Sequence, residues 1–248
     1  MKTFKLIRSH PATAVYNMEL DNLIFDRYLQ DKVPVLRIYS WQKPSFTYGL
    51  SQNPEDEIDL RRCLDDDIGI AKRITGGGIL FHDNEITYSF ACNKLDVGEP
   101  SEVFVSYREI CTFLINFYKE LKLPACFALE SKDFMNRRAP SNLCSAYCEK
   151  YDIVINGKKI GGNAQKRRRS AIFQHGSIPL SFDWNIINRY IKQSPKDLPS
   201  HVTALSDELI NCPKKILLED MLINAFARTF NVNFIEEDEL AYEASLAR

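Results

Sequence analysis

Residues 151–180 read YDIVINGKKIGGNAQKRRRSAIFQHGSIPL, and their reading decides the fold. Two short runs, YDIVI and KKIGG, flank Asn156-Gly157, a pair suited to the two positive-φ positions of a type I′ turn. A two-residue loop pairs Ile155 with Lys158 and Val154 with Lys159. Side chains alternate along a strand, so Asp152, Val154, Lys159 and Gly161 share one face. Ile153, Ile155 and Ile160 share the other, which is the core face. Asp152 then lies diagonally from Lys159, about 7–8 Å away. Glycine beside Lys159 leaves room for a carbonyl or phosphate ligand, although a lysine on a hairpin is ordinarily solvated. Lys166-Arg-Arg-Arg169 reads as a basic turn, and AIFQHGSIPL as a further strand, completing a β-meander.

Outward from the hairpin, residues 12–30 carry a broad helical stripe (Val15, Met18, Leu20, Leu23, Ile24, Tyr28). Residues 33–50 read as two strands joined at Lys43-Pro44. Residues 101–122, with Phe104, Tyr107, Cys111, Leu114, Phe117 and Leu121 at helical spacing, predict the clearest helix. Residues 214–230 read as a late helix and 236–247 as a short polar one. Strands and helices alternate without a βαβ rhythm, so the expected class is α+β with a mixed, mostly antiparallel sheet flanked by helices.

The 248 residues suit one large domain. Lys+Arg 32 against Asp+Glu 33 gives a net charge of −1, which argues against a wholesale nucleic-acid or membrane-surface footprint. No apolar run approaches a membrane span. The opening MKTFKLIRSH lacks the apolar core of a signal peptide. Seven cysteines without an export signal read as reduced thiols in the cytoplasm.

Three further segments carry chemistry. Arg73-Ile-Thr-Gly-Gly-Gly-Ile-Leu-Phe-His-Asp83 has a glycine run that is costly in regular structure. It suits a backbone that approaches a ligand and offers N–H groups, or a tight structural turn. Cys144 is a candidate nucleophile, since a thiol is partly ionised at neutral pH and a nearby ammonium ionises it further. Cys144 and Cys148 also form a C-x3-C pair, but His82, His175 and His201 stand isolated, so metal is not expected. His175, within Gln174-His-Gly-Ser177, suits a structural hydrogen bond as readily as a catalytic role.

Together, Arg73 to Asp83, Gly157 to Gln165 and Phe173 to Ser177 form an ordered set that resembles the lipoate–protein ligase and octanoyltransferase family. Asn17, Met18, Asp21, Arg37, Trp41, Gly49 and Gln52 match the family's opening. The likeness covers about residues 8–235. It implies a biotin/lipoate protein ligase-like catalytic domain over 1–248, with a core over about 30–218 and a helical C-terminal tail over 214–248.

Two chemistries compete within the family. One branch takes octanoyl from acyl carrier protein onto a cysteine lying 15 positions before the hairpin lysine; the residue 15 before Lys159 is Cys144. The resemblance then implies Cys144 and Lys159 as catalytic. Substrate contacts fall to Arg73, Gly76, Gly77, Gly78, His82, Tyr88, Gly161, Gly162, Ala164, Gln165, His175 and Gly176. No cofactor or metal is implied. The acceptor is a lysine of a lipoyl-domain protein, either a glycine-cleavage H protein or a dehydrogenase E2 domain. A groove lined by Ile79, Leu80 and Tyr88 would bury the tail, at about 0.8 kcal/mol per methylene and roughly 5 kcal/mol in full. Lys166 to Arg169 would dock the acidic carrier.

The alternative is an ATP- and Mg-dependent lipoate–protein ligase domain working through lipoyl-AMP. Gly76-Gly-Gly78 is common among ligases, and Ser145-Ala-Tyr-Cys148 departs from the transferase pattern. The chain ends too soon for a full ligase accessory domain. A non-catalytic acyl-binding protein is the third possibility.

Overall fold

The computed structural model describes residues 1–98, 103–132, 148–193 and 198–242. Along the chain run β1 (Lys2–Arg8), α1 (Ala14–Asp31), β2 (Val35–Tyr39), β3 (Ser45–Tyr48), α2 (Leu60–Asp65), β4 (Gly69–Lys72), β5 (Leu80–His82) and β6 (Glu85–Asn93). Next come α3 (Val103–Glu120), β7 (Ala125–Phe127), β8 (Ile153–Ile155), β9 (Lys158–Ile160), β10 (Gly162–Arg168) and β11 (Ala171–Pro179). The remainder is α4 (Trp184–Tyr190), α5 (Leu198–His201), β12 (Val202–Thr203), α6 (Leu205–Glu208), α7 (Lys215–Phe230) and β13 (Val232–Glu236).

The main sheet has the order β10-β11-β6-β2-β1-β13. Its β10, β11, β6 and β2 pair antiparallel, whereas β2, β1 and β13 pair parallel. The parallel β1–β2 pair requires a crossover, which α1 supplies. Alternation along β6 sets the two faces. Ile86, Tyr88, Phe90 and Cys92 enter the large core beneath α3 and α7. Ala91 joins the smaller core around Ile24, Phe25 and Tyr28 of α1, and Ser89 points the same way to bond Asp21. The α+β expectation with a mixed, mostly antiparallel sheet holds.

The hairpin register holds residue for residue: Val154 pairs with Lys159 and Ile155 with Lys158. Asn156 and Gly157 have φ of 50° and 76°, as the I′ turn demands. The continuous meander does not form. β8 and β9 belong to a second sheet, β12-β9-β8-β7, while β10 and β11 belong to the main one. The chain changes sheets at Gly161, where φ is 72°. A Cβ there would sit 2.0 Å from the Ser177 carbonyl oxygen. Gly161→Ala is therefore expected to cost roughly 2 kcal/mol or more. Thermal melting would read it as a lower Tm.

Two further expectations change. Lys166 to Arg168 are not a turn: they continue β10 to the pair Arg168–Ala171, because the buried strand β11 holds them in register. Only Arg169 and Ser170 turn, with φ of 49° at Arg169. Lys166 lies over the Phe25 ring while Arg167 bonds Gln165, so the charges divide between opposite faces of a strand. Past α7 the chain is not helical throughout: Val232–Glu236 pairs parallel with β1. Val232 and Phe234 face the core while Asn233 and the apolar Ile235 are exposed, so the five-residue run shows only a weak alternation.

Candidate active site

Lys159 is only 5% exposed, and its Nζ lies 2.8 Å from Asp152 Oδ2. The strand geometry that set these residues diagonally lets their side chains close the gap. Asp152 also accepts from the Glu149 backbone N–H at 2.8 Å. A buried ammonium is tolerated because it is paired.

Lys159 and Gly161 line a mostly apolar cavity between β5, α4 and β12 that encloses about 580 Å³, part of it open to solvent. A second cavity of about 390 Å³ shares Leu80 and Ser177 with the first. Arg73, Gly77, His82, Gly162, Ala164, His175 and Gly176 meet on its wall beside Met18, Tyr39 and Trp41. Residues scattered over more than a hundred positions thus converge on two adjoining spaces.

The glycine run touches the second cavity through Gly77 and is pinned from two sides. Arg73 turns back on its own loop, donating to Gly76 O at 3.1 Å, Gly78 O at 2.7 Å and Thr47 Oγ1 at 3.0 Å. Thr47 Oγ1 lies 2.7 Å from His82 Nε2, and His82 Nδ1 lies 2.8 Å from Glu85 Oε1. Thr47 Oγ1 thus bridges Arg73 and His82. On the other side Thr75 Oγ1 is 2.8 Å from His175 Nε2, and His175 Nδ1 is 3.4 Å from Asp21 Oδ2. Each relay runs carboxylate, imidazole, threonine. Gly49 lets the loop settle: a Cβ there would lie 2.2 Å from Gly77 O.

The carboxylates are buried and well supplied with donors. Burial pushes the Asp21 carboxyl up, but His175, Arg37 and Ser89 favour its ionised form and hold it below the usual value. Burial likewise opposes ionisation of Glu85, and His82, Ser177 and Thr87 outweigh it. Burial lowers His175 below the ordinary imidazole value, against the pull of Asp21 and with help from Arg73 and His82. A neutral His175 donates through Nδ1 to Asp21 and accepts the Thr75 proton at Nε2.

Other expected residues stand elsewhere. Tyr88 is not on the cavity wall: strand alternation turns it into the α3–α7 core, where its hydroxyl donates to Asn163 Oδ1 at 2.6 Å. Ile79 is buried in a separate core cluster with Phe46 and Ile58. Gly76 and Gly78 do not line the wall, and their carbonyls face Arg73. Gln165 bonds Gln174 at 2.6 Å, away from both cavities. Cys144 lies outside the described residues. Sequence reasoning missed Glu85 and Thr47. The available signal was the period-two polar series Glu85, Thr87, Ser89 inside an otherwise apolar strand.

Among the described residues no cluster of three His, Cys, Asp or Glu is arranged to hold a metal ion, and no helix is long and apolar enough to cross a membrane.

A buried lysine on one cavity and a pinned glycine loop on the cavity adjoining it define a catalytic domain with room for a small group beside a cation. Residues 13–231 match the model of the lipoyl protein ligase A/B catalytic domain, and the chain belongs to that family. It is 30% identical to octanoyltransferase LipM of Clostridioides difficile, over 100% of this chain and 94% of that one. It is 34% identical to octanoyltransferase LipM of Kyrpidia tusciae, over 98% and 92% of the two chains. In fold it is similar to a bi-partite lipoate protein ligase from Thermoplasma acidophilum, with a TM-score of 0.77, 21% identity and coverage of 99% and 92%. A lipoate-protein ligase A bound with ATP gives a TM-score of 0.78 at 22% identity, over 99% of this chain and 94% of that one.

Proposed function

We propose that the chain, as one catalytic domain, is an octanoyltransferase of protein lipoylation in the cytoplasm. It takes octanoyl from acyl carrier protein onto Cys144 and passes it to a lysine of a lipoyl-domain protein. The buried Lys159–Asp152 pair at the edge of an apolar cavity carries this reading. The full-length likeness to relatives named octanoyltransferase supports it.

The tail lies in the cavity walled by Met18, Tyr39, Trp41, Leu80 and Ala164. Full burial contributes roughly 5 kcal/mol, enough to position the thioester but not to break it. The carbonyl sits towards Leu80 and Ser177, the residues common to both cavities. There Lys159 stabilises the Cys144 thiolate and then the oxyanion of each tetrahedral intermediate. The Cys144 sulfur bonds to the acyl carbon and the carrier thiol leaves with a proton. The acceptor amine then displaces Cys144. Such double displacement is ping-pong.

Intact-mass analysis tests this directly. The protein mixed with octanoyl carrier protein, without ATP, should gain the mass of one octanoyl group and lose it when a lipoyl domain is added. Lipoate-dependent pyrophosphate exchange with ATP, unaffected by Cys144→Ser, would instead establish the ligase chemistry.

A further inference from the structure

One acyl tail needs only one of the two adjoining cavities. The other is lined by Phe182, Trp184, Ile187, Ile191, Val202 and Lys159. The Phe182 and Trp184 rings pack at 5.0 Å and are half-exposed, whereas Ile187, Ile191 and Val202 are buried. A neighbouring depression shares Phe182 and Ile187 with this chamber and carries Asp83, Glu85 and Asp183. Asp183 is exposed and Asp83 half-buried. The chamber therefore combines aromatic and aliphatic walls with the Lys159 ammonium, and carboxylates lie in the depression beside it.

We infer that this chamber receives the side chain of the acceptor lysine and makes its amine nucleophilic. The inference rests on the octanoyl-transfer reading and supplies what that reading lacks. A free lysine titrates near ~10.4 and is protonated at neutral pH, so its amine cannot attack. Its butyl stem matches apolar walls. Those walls disfavour an ammonium, and Lys159, already matched by Asp152, offers it no counter-ion. The carboxylates of the neighbouring depression, Asp83 and Asp183, draw the cation in from solution. The first proton returns to solvent as the amine enters the apolar walls. Among the described residues, Asp152 behind the walls is committed to Lys159, and Glu85 accepts from the Ser177 hydroxyl at 2.6 Å. The transfer balances without another reactant. The amine nitrogen bonds to the acyl carbon, the carbon–sulfur bond breaks, and the departing sulfur takes the second amine proton to give an amide and a free thiol.

The test separates the two half-reactions. Octanoyl-enzyme is formed first, freed of carrier, and mixed with a lipoyl domain over a range of pH. Its transfer rate should reach half-maximum well below ~10.4. In Phe182→Gln and Trp184→Gln, both at half-exposed sites, the midpoint should rise by about one unit, and transfer at pH 7 should fall roughly tenfold. The pH profile of acyl-enzyme formation should keep its wild-type position. Asp83→Asn should raise the KM for the lipoyl domain. Superimposable second-step profiles would overturn the inference. So would equal slowing of both steps, which would assign the chamber to the donor's thioester arm. No acyl-enzyme in the unaltered protein would sink covalent transfer itself, and that failure is visible before any acceptor is added.

Discussion

Cys144→Ala is expected to abolish octanoyl transfer, with a loss of at least about a thousandfold and no mass gain on incubation with octanoyl carrier protein. Removing the nucleophile of a double-displacement enzyme eliminates both half-reactions together. Lys159 needs a more careful experiment, because it also neutralises buried Asp152. Lys159→Met alone strands a carboxylate and should lower both Tm and activity. In the double variant Lys159→Met/Asp152→Asn no charge is stranded. Its Tm should recover, while acyl-enzyme formation stays down roughly 100- to 1,000-fold, the scale of a lost oxyanion donor. Activity recovering in step with Tm would reduce Lys159 to a structural residue.

Arg37→Met should produce the largest loss of stability, about 3–5 kcal/mol. Arg37 is fully buried and donates to Asp21 Oδ1 at 2.9 Å, Asn17 Oδ1 at 2.7 Å and Ser9 Oγ at 2.8 Å. Without it, Asp21 keeps Tyr39, Ser89 and His175 but loses its buried counter-cation. The same network makes the protein acid-sensitive. Asp21 and Glu85 titrate below their usual values in the fold, so their stabilisation is complete above the ordinary carboxylate range and is lost as pH falls through it. His175 acts in the same direction. It is held below the ordinary value of about 6.5, so the unfolded chain takes up that proton first. Thermal melting should show Tm steady above pH 7 and falling below about pH 6.5. Arg37→Met should flatten the carboxylate part of that fall. An equal slope in both proteins would remove Arg37 from the account.

The hairpin was legible to the residue because its information is local. Asn156-Gly157 dictates the turn, the turn dictates the register, and alternation assigns Ile153, Ile155 and Ile160 to the core. The helices α1, α3 and α7 were equally plain from their apolar spacing. Tyr88 departs from the expectation because it sits in a strand beside the polar Glu85, Thr87 and Ser89 but alternation turns it to the opposite face. Its own direction depends on which side of β6 α1 occupies. The basic run was misread because charge suggests solvent, whereas pairing with β11 decided the backbone.

By itself the chain's order of residues determined the hairpin and its face, the long helices, and the motif set that marks the family. These depend on neighbours a few positions apart and on period. Only the tertiary structure decided that Lys159 is buried against Asp152, that Arg73 spends its guanidinium on its own loop, and that Thr47 and Thr75 each end a carboxylate–imidazole relay. The physical reason is distance along the chain. Asp21 and His175 are separated by 154 positions, and no local preference carries the information that a folded core will bring them together and remove the water between them.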